Sequence, residues 1–413
     1  MIALPLDVVT SLGDVYTYGA DVITGVEIDS RRIGRGDLFV AIGPGVDYVD
    51  EARANGAAAT LVPDDAFAAM AAIGRAVRDR SNATVVGITG STGKTSTKDI
   101  LAALCRPVAR TVAAEAGHNN ELGLPLTLAR IEPDTEVVIT EMGMRGLGQI
   151  RELCKIARPK IAVVTGVGPV HLELLGTVER VAQAKAEILC ALPPDGVAII
   201  PNDAPELEPF VPDDIDVRRF GPVDVEIRDG RAHVRVLGRE VVFDFAARHQ
   251  ARNAAAALLA LDVLGLPFPD QPVEVAFSRW RCEESPLPGG GLLINDAYNA
   301  NPVSTRAALE YLVERAQGRR TVAVLGEMAE LGPGAPGFHA AAGAAARELG
   351  VDVVVGVGEL ARSYEPDVWR AGASEAAELV RTLVEPGDAV LVKASRTAGL
   401  EIVAEALAGV PAP

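Results

Sequence analysis

The ten residues "GITGSTGKTS", Gly87–Ser96, decide the fold class of this chain. They follow the β-branched run "TVV" at 84–86 and precede "TKDILAALC", which begins an apolar helical pattern. A strand, a glycine-rich turn and a helix N-terminus form a phosphate-binding loop, because glycines let backbone N–H groups turn toward an anion. The general motif has a glycine five positions before Gly93, where this chain has Ile88. The loop therefore predicts a nucleotide site of an unusual variant.

Two side chains of this loop suit a bound nucleoside triphosphate. Lys94 can reach β- and γ-phosphate oxygens, and the Thr95 hydroxyl can coordinate Mg²⁺. The loop residues assigned to the nucleotide site are Gly90, Ser91, Thr92, Gly93, Lys94, Thr95 and Ser96.

The composition is that of a globular protein with several domains. The chain has 413 residues, 49% apolar and 23% charged, which allows about two to four domains. Its net charge of −17 argues against a nucleic-acid or anionic-membrane surface, so an anionic substrate must meet local groups of Lys, Arg and backbone N–H. Because no apolar run could cross a bilayer and the first residues lack a signal-peptide pattern, we expect a cytoplasmic protein without membrane insertion.

Apolar strands alternate with helical stretches through most of the chain, which predicts an α/β fold with mainly parallel sheets. Three domains are expected: a small, strand-rich domain at 1–82, a central phosphate-loop domain at 83–283 and a C-terminal α/β domain at 284–413. The segment "EESPLPGGG" at 283–291 is typical of a linker or turn.

Two polar residues follow strands of the predicted central sheet. Glu141 comes at the end of "EVVIT", beside the phosphate loop, where a carboxylate can hold Mg²⁺ directly or through water. A solvated strand-end carboxylate is the alternative. His171 follows "IAVVTG" on a neighbouring loop and is a candidate ligand of a second cation, although a single histidine is more often a structural residue.

Lys185 interrupts an apolar helical face. In "TVERVAQAKAEILCAL" the apolar positions 178, 181, 182, 188 and 189 define that face, and Lys185 falls in its middle. Its stem can carry the charge outward, or an ion pair can hold it. If it is buried instead, desolvation favours the neutral amine, which can react with CO₂ to form a Mg²⁺-binding carbamate.

Three further segments carry polar groups beyond what turns require. In "INDAYNANP", Asn301 is expected to cap a helix that begins at Pro302, which leaves Asp296 and Asn299, with Tyr298, unexplained by capping. The segments "IDSRR" at 28–32 and "GHNNELGLP" at 117–125 offer hydroxyl, guanidinium and amide groups suited to a phosphorylated sugar, although each could be only a turn.

Taken together, these motifs resemble the Mur ligase family, and within it the MurF type. The odd glycine spacing of the loop is this family's version, and "YNANP" after a strand-ending Asp is similar to the MurF type. The resemblance covers essentially the whole chain, in the segments "DSRRIGRGDLFVA", "GSTGKTSTK", "NNELGLPLTL", "TEMGMRGLGQI", "HLELLGTVERVAQAKAEI", "RHQARNAAAA", "INDAYNANP", "VLGEMAELG" and "VKASR".

The resemblance implies a UDP-binding N-terminal domain, a central ATPase domain and a C-terminal Rossmann-like domain. It also implies an activity: ATP phosphorylates the C-terminal carboxylate of UDP-MurNAc-tripeptide, and the amine of D-Ala-D-Ala attacks the acyl phosphate. ATP and two Mg²⁺ ions are the implied cofactors, and the protein is expected to be a monomer.

The resemblance further implies roles for single residues. Lys94 is implied to neutralise the γ-phosphate. The implied metal ligands are Thr95 and Glu141 for one Mg²⁺, and His171 and carbamylated Lys185 for the other. The implied ATP contacts outside the loop are Asn253, Arg281, with Arg279 as its competitor, Asp296 and Asn299. The residues implied to lie near the phosphates or the incoming dipeptide are Lys393, Ser395 and Arg396. Those implied to contact the UDP-sugar are Ser30, Arg31, Asn119 and Asn120.

Three other functions remain open at this point. A sibling ligase would add a single amino acid to a muramyl peptide or glutamate to a folate. A regulatory or transport ATPase would hydrolyse ATP without a muramyl peptide, but would leave Lys185 and "DAYNANP" unexplained. A non-catalytic sugar-nucleotide-binding protein would tolerate the loss of Lys94.

Overall fold

The computed structural model describes residues 1–221, 223–287 and 289–409. The N-terminal part is a small α/β unit. A four-stranded sheet has the order β2-β6-β5-β4, in which β2 pairs antiparallel and the others parallel, and β1 pairs with β3. Its strands are β1 Leu4–Pro5, β2 Gly13–Thr17, β3 Val22–Ile23, β4 Gly25–Glu27, β5 Asp37–Val40 and β6 Ala59–Pro63. Its helices are α1 Val49–Ala54 and α2 Ala66–Arg78.

The central sheet has six strands, all parallel, in the order β12-β11-β10-β7-β9-β8. The strands are β7 Thr84–Thr89, β8 Thr111–Ala113, β9 Val137–Glu141, β10 Ile161–Val164, β11 Val197–Pro201 and β12 Asp216–Phe220. The helices are α3 Lys94–Cys105, α4 Gly123–Leu128, α5 Gln149–Ala157, α6 Leu172–Leu175, α7 Val178–Cys190 and α8 Arg248–Val263. An antiparallel meander follows the sheet, formed by β13 Asp224–Arg228, β14 Arg231–Val236 and β15 Arg239–Phe243.

Helices cover both faces of the central sheet, as its uninterrupted apolar strands require. Val85 of β7 points into the core shared with α2, α4, α5 and α7, whereas Val86 and Ile88 point into the core shared with α3 and α8. The phosphate loop thus connects β7, an interior strand of the sheet, to α3, which packs in the second of these cores.

Two glycines of the phosphate loop have backbones that residues with a side chain rarely adopt. Gly90 has φ +149° and Gly93 has φ +78°. A Cβ at Gly90 would lie 1.9 Å from Thr165 Oγ1, and one at Gly93 would lie 2.2 Å from Asn253 Oδ1. The turn therefore needs glycine both for its conformation and for its close contacts with β10 and α8.

The C-terminal part is a six-stranded mixed sheet in the order β16-β17-β21-β18-β19-β20. Only β16 is antiparallel to its neighbour. The strands are β16 Glu283–Leu287, β17 Gly291–Asp296, β18 Thr321–Gly326, β19 Val353–Val357, β20 Val368–Arg370 and β21 Ala389–Lys393. The helices are α9 Pro302–Ala316, α10 Ala335–Glu348, α11 Ala373–Leu383 and α12 Glu401–Ala408.

The α/β fold with a parallel central sheet and an α/β C-terminal part is confirmed. The interpretation of 283–291 as a linker or turn is wrong for Glu283–Leu287, which form edge strand β16. Residue 288 of that segment lies outside the described residues. The predicted cap of α9 is confirmed, because Asn301 and Ser304 form a reciprocal capping box with Pro302 in the first turn. Within the described residues, no helix is long and apolar enough to span a bilayer.

Candidate active site

A cleft of about 700 Å³ opens between the phosphate loop and the C-terminal sheet. Parallel strands of both sheets end at this cleft, which is where open α/β sheets bind ligands. It brings together many of the residues singled out from the sequence, which lie far apart along the chain. Those lining it are Ser91, Thr92, Gly93, Lys94, Thr95, Ser96, Asn119, Asn120, Glu141, His171, Lys185, Asn253, Arg281, Asp296, Asn299 and Lys393. Ser30, Arg31, Ser395 and Arg396 are not among its lining residues.

Thr95 and Glu141 form an oxygen-rich pair beside the phosphate loop. The Thr95 hydroxyl donates to Glu141 Oε2 at 2.9 Å, and Asn119 Nδ2 donates to Glu141 Oε1 at 3.0 Å. Burial raises the pKa of Glu141, but the positive charge of Lys94 and these hydrogen bonds outweigh it and hold the pKa below its usual value. A buried, ionised carboxylate next to a hydroxyl is a donor set that fits Mg²⁺.

Lys94 begins α3 and points back across the loop. Its Nζ donates to the Gly90 carbonyl at 2.7 Å. Burial lowers the pKa of Lys94, while the Glu141 carboxylate opposes this shift. The ammonium group is therefore held at the mouth of the phosphate loop, where an incoming polyanion would stabilise its charge.

Arg281, rather than Arg279, enters the cleft. Its Nη2 donates to Thr95 Oγ1 at 2.9 Å, and its guanidinium lies over the Tyr298 ring with 4.0 Å to the centroid. Arg279 instead lies over the ring of Trp280. Within the described residues, the buried Arg281 Nε has no hydrogen-bond partner. This unpartnered donor, next to the phosphate loop, fits an anionic group of a ligand.

Lys185 is buried in α7, with 2% of its surface exposed. The alternatives that its stem reaches solvent or that an ion pair holds it are wrong, since no carboxylate of the described residues lies within 4.0 Å of its amine. Burial, together with the positive charge of Lys94, lowers the pKa of Lys185 well below its usual value. Both effects favour the neutral amine, which is the form that reacts with CO₂.

His171 is held by a residue that the sequence reasoning missed. It has φ +52° just before α6, and its Nδ1 forms a hydrogen bond with Glu330 Oε2 from the C-terminal part. Burial lowers the pKa of His171, and Glu330 opposes this shift. The signal for Glu330 is its place in "GEMAEL", four residues after the end of β18, on the loop that follows a strand of the C-terminal sheet.

Several C-terminal residues are occupied by contacts within their own sheet. Lys393 forms a buried ion pair with Asp296, and its Nζ also donates to the Asn299 carbonyl at 3.0 Å. Ser395 Oγ accepts from the Ala329 N–H at 2.9 Å. These side chains fix the ends of β17 and β21, so their first role is to shape the wall of the cleft.

The remaining predicted contacts are also partly engaged within the protein. Ser30 Oγ donates to Glu51 at 2.7 Å, and Arg31 is exposed and paired with Asp29. Asn120 accepts from the backbone at the start of α4, including the Gly123 N–H at 2.9 Å. Asn253 donates to Gln250 at 2.7 Å and lies against the loop at Gly93. Arg396 pairs with Glu401.

No group of three or more His, Cys, Asp or Glu side chains in the described part of the chain is arranged to hold a metal ion. Hydroxyl groups and a carbamate are further possible ligands. A cation at this site would therefore depend on Thr95 with Glu141, and on a modified Lys185 with His171.

Two domain families match the sequence. The Mur ligase middle domain matches residues 88–261, and the glutamate ligase domain of Mur ligases matches residues 280–396. A UDP-N-acetylmuramoyl-tripeptide–D-alanyl-D-alanine ligase of Escherichia coli (strain K12) is 32% identical over 98% of this chain and 99% of its own. The Mycobacterium tuberculosis (strain CDC 1551 / Oshkosh) ligase of the same name is 35% identical over 93% of this chain and 92% of its own.

Solved structures agree with the sequence relatives. The MurF ligase of Thermotoga maritima, crystallised in complex with ADP, superimposes with a TM-score of 0.81 at 28% identity. The match covers 93% of this chain and 97% of that one, so it includes all three parts of the fold. The chain therefore belongs to the Mur ligase family and, within it, to the MurF type.

Proposed function

We propose that this protein is an ATP-dependent ligase that joins the C-terminal carboxylate of UDP-MurNAc-tripeptide to the amine of D-Ala-D-Ala, in peptidoglycan precursor synthesis. The names of its relatives support this activity. The observation that carries it is the convergence of Lys94, the Thr95–Glu141 pair, Arg281 and buried Lys185 on one interdomain cleft. A cleft that places Lys94 and Arg281 beside a phosphate loop suits phosphoryl and acyl transfer between bound substrates.

The three parts of the chain then have separate tasks. Residues 1–82 would bind the UDP-sugar, 83–283 would bind ATP, and 284–413 would bind the dipeptide and close over the nucleotide. The Thermotoga maritima relative, crystallised in complex with ADP, supports the binding of an adenine nucleotide by this protein. We assign the protein to the cytoplasm, since all three substrates are soluble, and we propose that it acts as a monomer.

The reaction takes two steps. A carboxylate oxygen of the tripeptide attacks the γ-phosphorus, and ADP leaves. The neutral amine of D-Ala-D-Ala then attacks the acyl carbon, and inorganic phosphate leaves with the original carboxylate oxygen while a proton is released. Lys94 and Arg281 would neutralise charge that grows on the transferring phosphoryl group, and the C-terminal part would exclude water from the acyl phosphate.

Mg²⁺ bound at this site would supply further charge neutralisation for the polyphosphate. Thr95 and Glu141 would hold one ion, because both offer oxygen atoms beside the loop. His171 and Lys185 would hold a second ion once the Lys185 amine has added CO₂ and lost a proton to form a carbamate. The burial of Lys185, and the absence of a carboxylate partner for it among the described residues, support this modification.

The other assigned contacts remain part of the proposal. Asn253, Asp296 and Asn299 would contact the nucleotide, and Lys393, Ser395 and Arg396 would lie near the phosphates or the dipeptide. Ser30, Arg31, Asn119 and Asn120 would contact the UDP-sugar. Lys393 would act mainly through Asp296, given the ion pair between them.

A substrate-pair assay tests the proposal. Purified protein is given ATP, Mg²⁺, UDP-MurNAc-tripeptide and D-Ala-D-Ala, with the tripeptide ending in diaminopimelate or lysine, and phosphate and amide are measured. We expect the wild-type protein to release one phosphate per amide formed with at least one of the two tripeptides. Lys94→Ala should release no phosphate and form no amide. Activity only with UDP-MurNAc-dipeptide and a free diamino acid would indicate a sibling ligase. Phosphate release without any muramyl peptide would indicate an ATPase.

A further inference from the structure

A loop of the C-terminal part docks beside the cleft on the segment that carries His171. The Glu173 N–H donates to the Glu330 carbonyl at 3.2 Å. Gly332 approaches so closely, at φ +65°, that a Cβ there would lie 3.1 Å from the Glu173 Cα. Glu330 itself has φ +61°, an uncommon backbone for a residue with a side chain. These features hold the Glu330 carboxylate at the junction of the two sheets.

Both oxygens of the Glu330 carboxylate contact side chains of the central part. Oε2 meets Nδ1 of His171, and Oε1 lies 3.3 Å from Nε of Arg145. An ionised carboxylate can only accept, so the His171 Nδ1 donates. Nε2 is then the nitrogen left with its lone pair, and the ring is fixed in one orientation.

The loop that presents Glu330 is itself held from within the C-terminal part. The Met328 N–H donates to Nε2 of the buried His339 at 2.9 Å. The next N–H, of Ala329, donates to Ser395 Oγ at 2.9 Å. Glu330 therefore has a fixed position relative to the C-terminal sheet. Its contact with His171 depends on where that sheet lies relative to the central part.

We propose that Glu330 is a positioning residue that makes His171 a cation ligand only when the C-terminal part is docked on the central part. This inference rests on the proposed function, because it concerns the second cation of that site. Ligating histidines generally donate their other ring N–H to a carboxylate, and loss of that partner costs about 10- to 100-fold in metal affinity or activity. Here that partner comes from a different sheet, so docking and cation binding are coupled.

The test measures Mn²⁺ binding by electron paramagnetic resonance in the presence of ADP, without turnover. We expect Glu330→Ala to weaken the second Mn²⁺ about 10- to 100-fold and to leave the first unchanged. Glu330→Gln, which keeps size but loses charge, should show a smaller loss. Glu359→Gln is the matched control, since Glu359 is an exposed carboxylate of the same domain that pairs with Arg362, away from His171.

A double-mutant cycle separates positioning from a general structural effect. His171→Asn should lose the second Mn²⁺ as well, and adding Glu330→Ala to it should cause little further loss. In ligation assays, Glu330→Ala should lower kcat, with partial recovery at high Mn²⁺ and an unchanged KM for UDP-MurNAc-tripeptide. A merely structural role would instead move that KM and the first Mn²⁺ site.

Equal Mn²⁺ affinities in wild type and Glu330→Ala, additive losses in the double variant, or a wild type without a second Mn²⁺ would each overturn the inference. The proposed function fails separately. A wild type that binds two Mn²⁺ ions, loses the second in Glu330→Ala and yet forms no amide would refute the ligase and leave the role of Glu330 intact.

Discussion

Lys185 shows which property of a residue the sequence indicates and which one only the structure determines. Its position in the apolar face of α7 was visible in the sequence, but the sequence could not separate burial from an outward-reaching stem. The structure makes that distinction, since the residue is 2% exposed. A buried lysine without an acidic partner is costly to keep as a cation, and carbamylation would turn it into a group that the site can use.

We expect Lys185→Ala to abolish ligation, because the variant cannot form the carbamate. Added bicarbonate should not restore activity, whereas a short carboxylate such as acetate or formate should restore part of it by standing in for the carbamate. Amide formation is measured with and without each additive, and Lys155→Ala, an exposed lysine of α5, is the control. Full activity of Lys185→Ala would contradict the carbamate assignment.

Arg281 and Arg279 form a second test at this scale. Arg281→Ala removes the donor to Thr95 and the unpartnered Nε, so we expect kcat/KM to fall about 10- to 100-fold, as for the loss of a charged hydrogen bond. Arg279→Ala should remain close to wild type. Steady-state kinetics of both variants check this, and a larger loss at Arg279 would reverse the assignment.

Individual elements were predictable where local signals were strong. The apolar runs gave the central strands of both sheets, and the glycine-rich loop gave the start of α3. Strand β16 was missed because Pro286 and acidic residues resemble a linker. An edge strand tolerates such residues, since one side of it makes no sheet hydrogen bonds. Only its pairing with β17, which is a tertiary feature, makes it a strand.

The junction between β18 and α10 predicts a pH dependence of stability. Burial lowers the pKa of His339, whose Nε2 accepts from the Met328 N–H. The unfolded chain protonates this histidine near its ordinary pKa of about 6.5, whereas the folded protein does so only at lower pH. Between these values the unfolded state binds more protons, so stability falls as the pH drops.

We therefore expect the free energy of unfolding in urea to decline between pH 7 and pH 5, and to decline less in His339→Gln. The difference in slope is at most about 1.4 kcal/mol per pH unit for one proton. Glutamine can still accept from Met328, so the variant should fold. Parallel pH profiles of the two proteins would show that His339 does not contribute.

At the scale of the whole molecule, the site depends on how two sheets face each other. Nothing local links His171 to Glu330, which are 159 residues apart in the chain. Likewise, the sequence indicated that Lys393 and Asp296 are functional, but only the parallel pairing of β17 with β21 shows that they bind each other. Residue types and strand ends could be predicted, whereas partners across domains could not.

The way in which the two sheets face each other also explains why the γ-phosphate would go to a peptide carboxylate rather than to water. Lys94, at the start of α3, and Arg281, just before β16, both lie against the phosphate loop, so their charges converge at the cleft. A closed cleft protects an acyl phosphate from hydrolysis.

Transfer of an oxygen atom from the tripeptide carboxylate to phosphate distinguishes attack by the carboxylate from attack by water. UDP-MurNAc-tripeptide labelled with ¹⁸O in its C-terminal carboxylate is incubated with ATP, D-Ala-D-Ala and the protein in unlabelled water, and the phosphate is analysed by mass spectrometry. We expect one ¹⁸O atom in each phosphate released and none in ADP. Phosphate without the label would mean that water attacks the γ-phosphorus, and would contradict the assignment of this protein as an acyl-phosphate ligase.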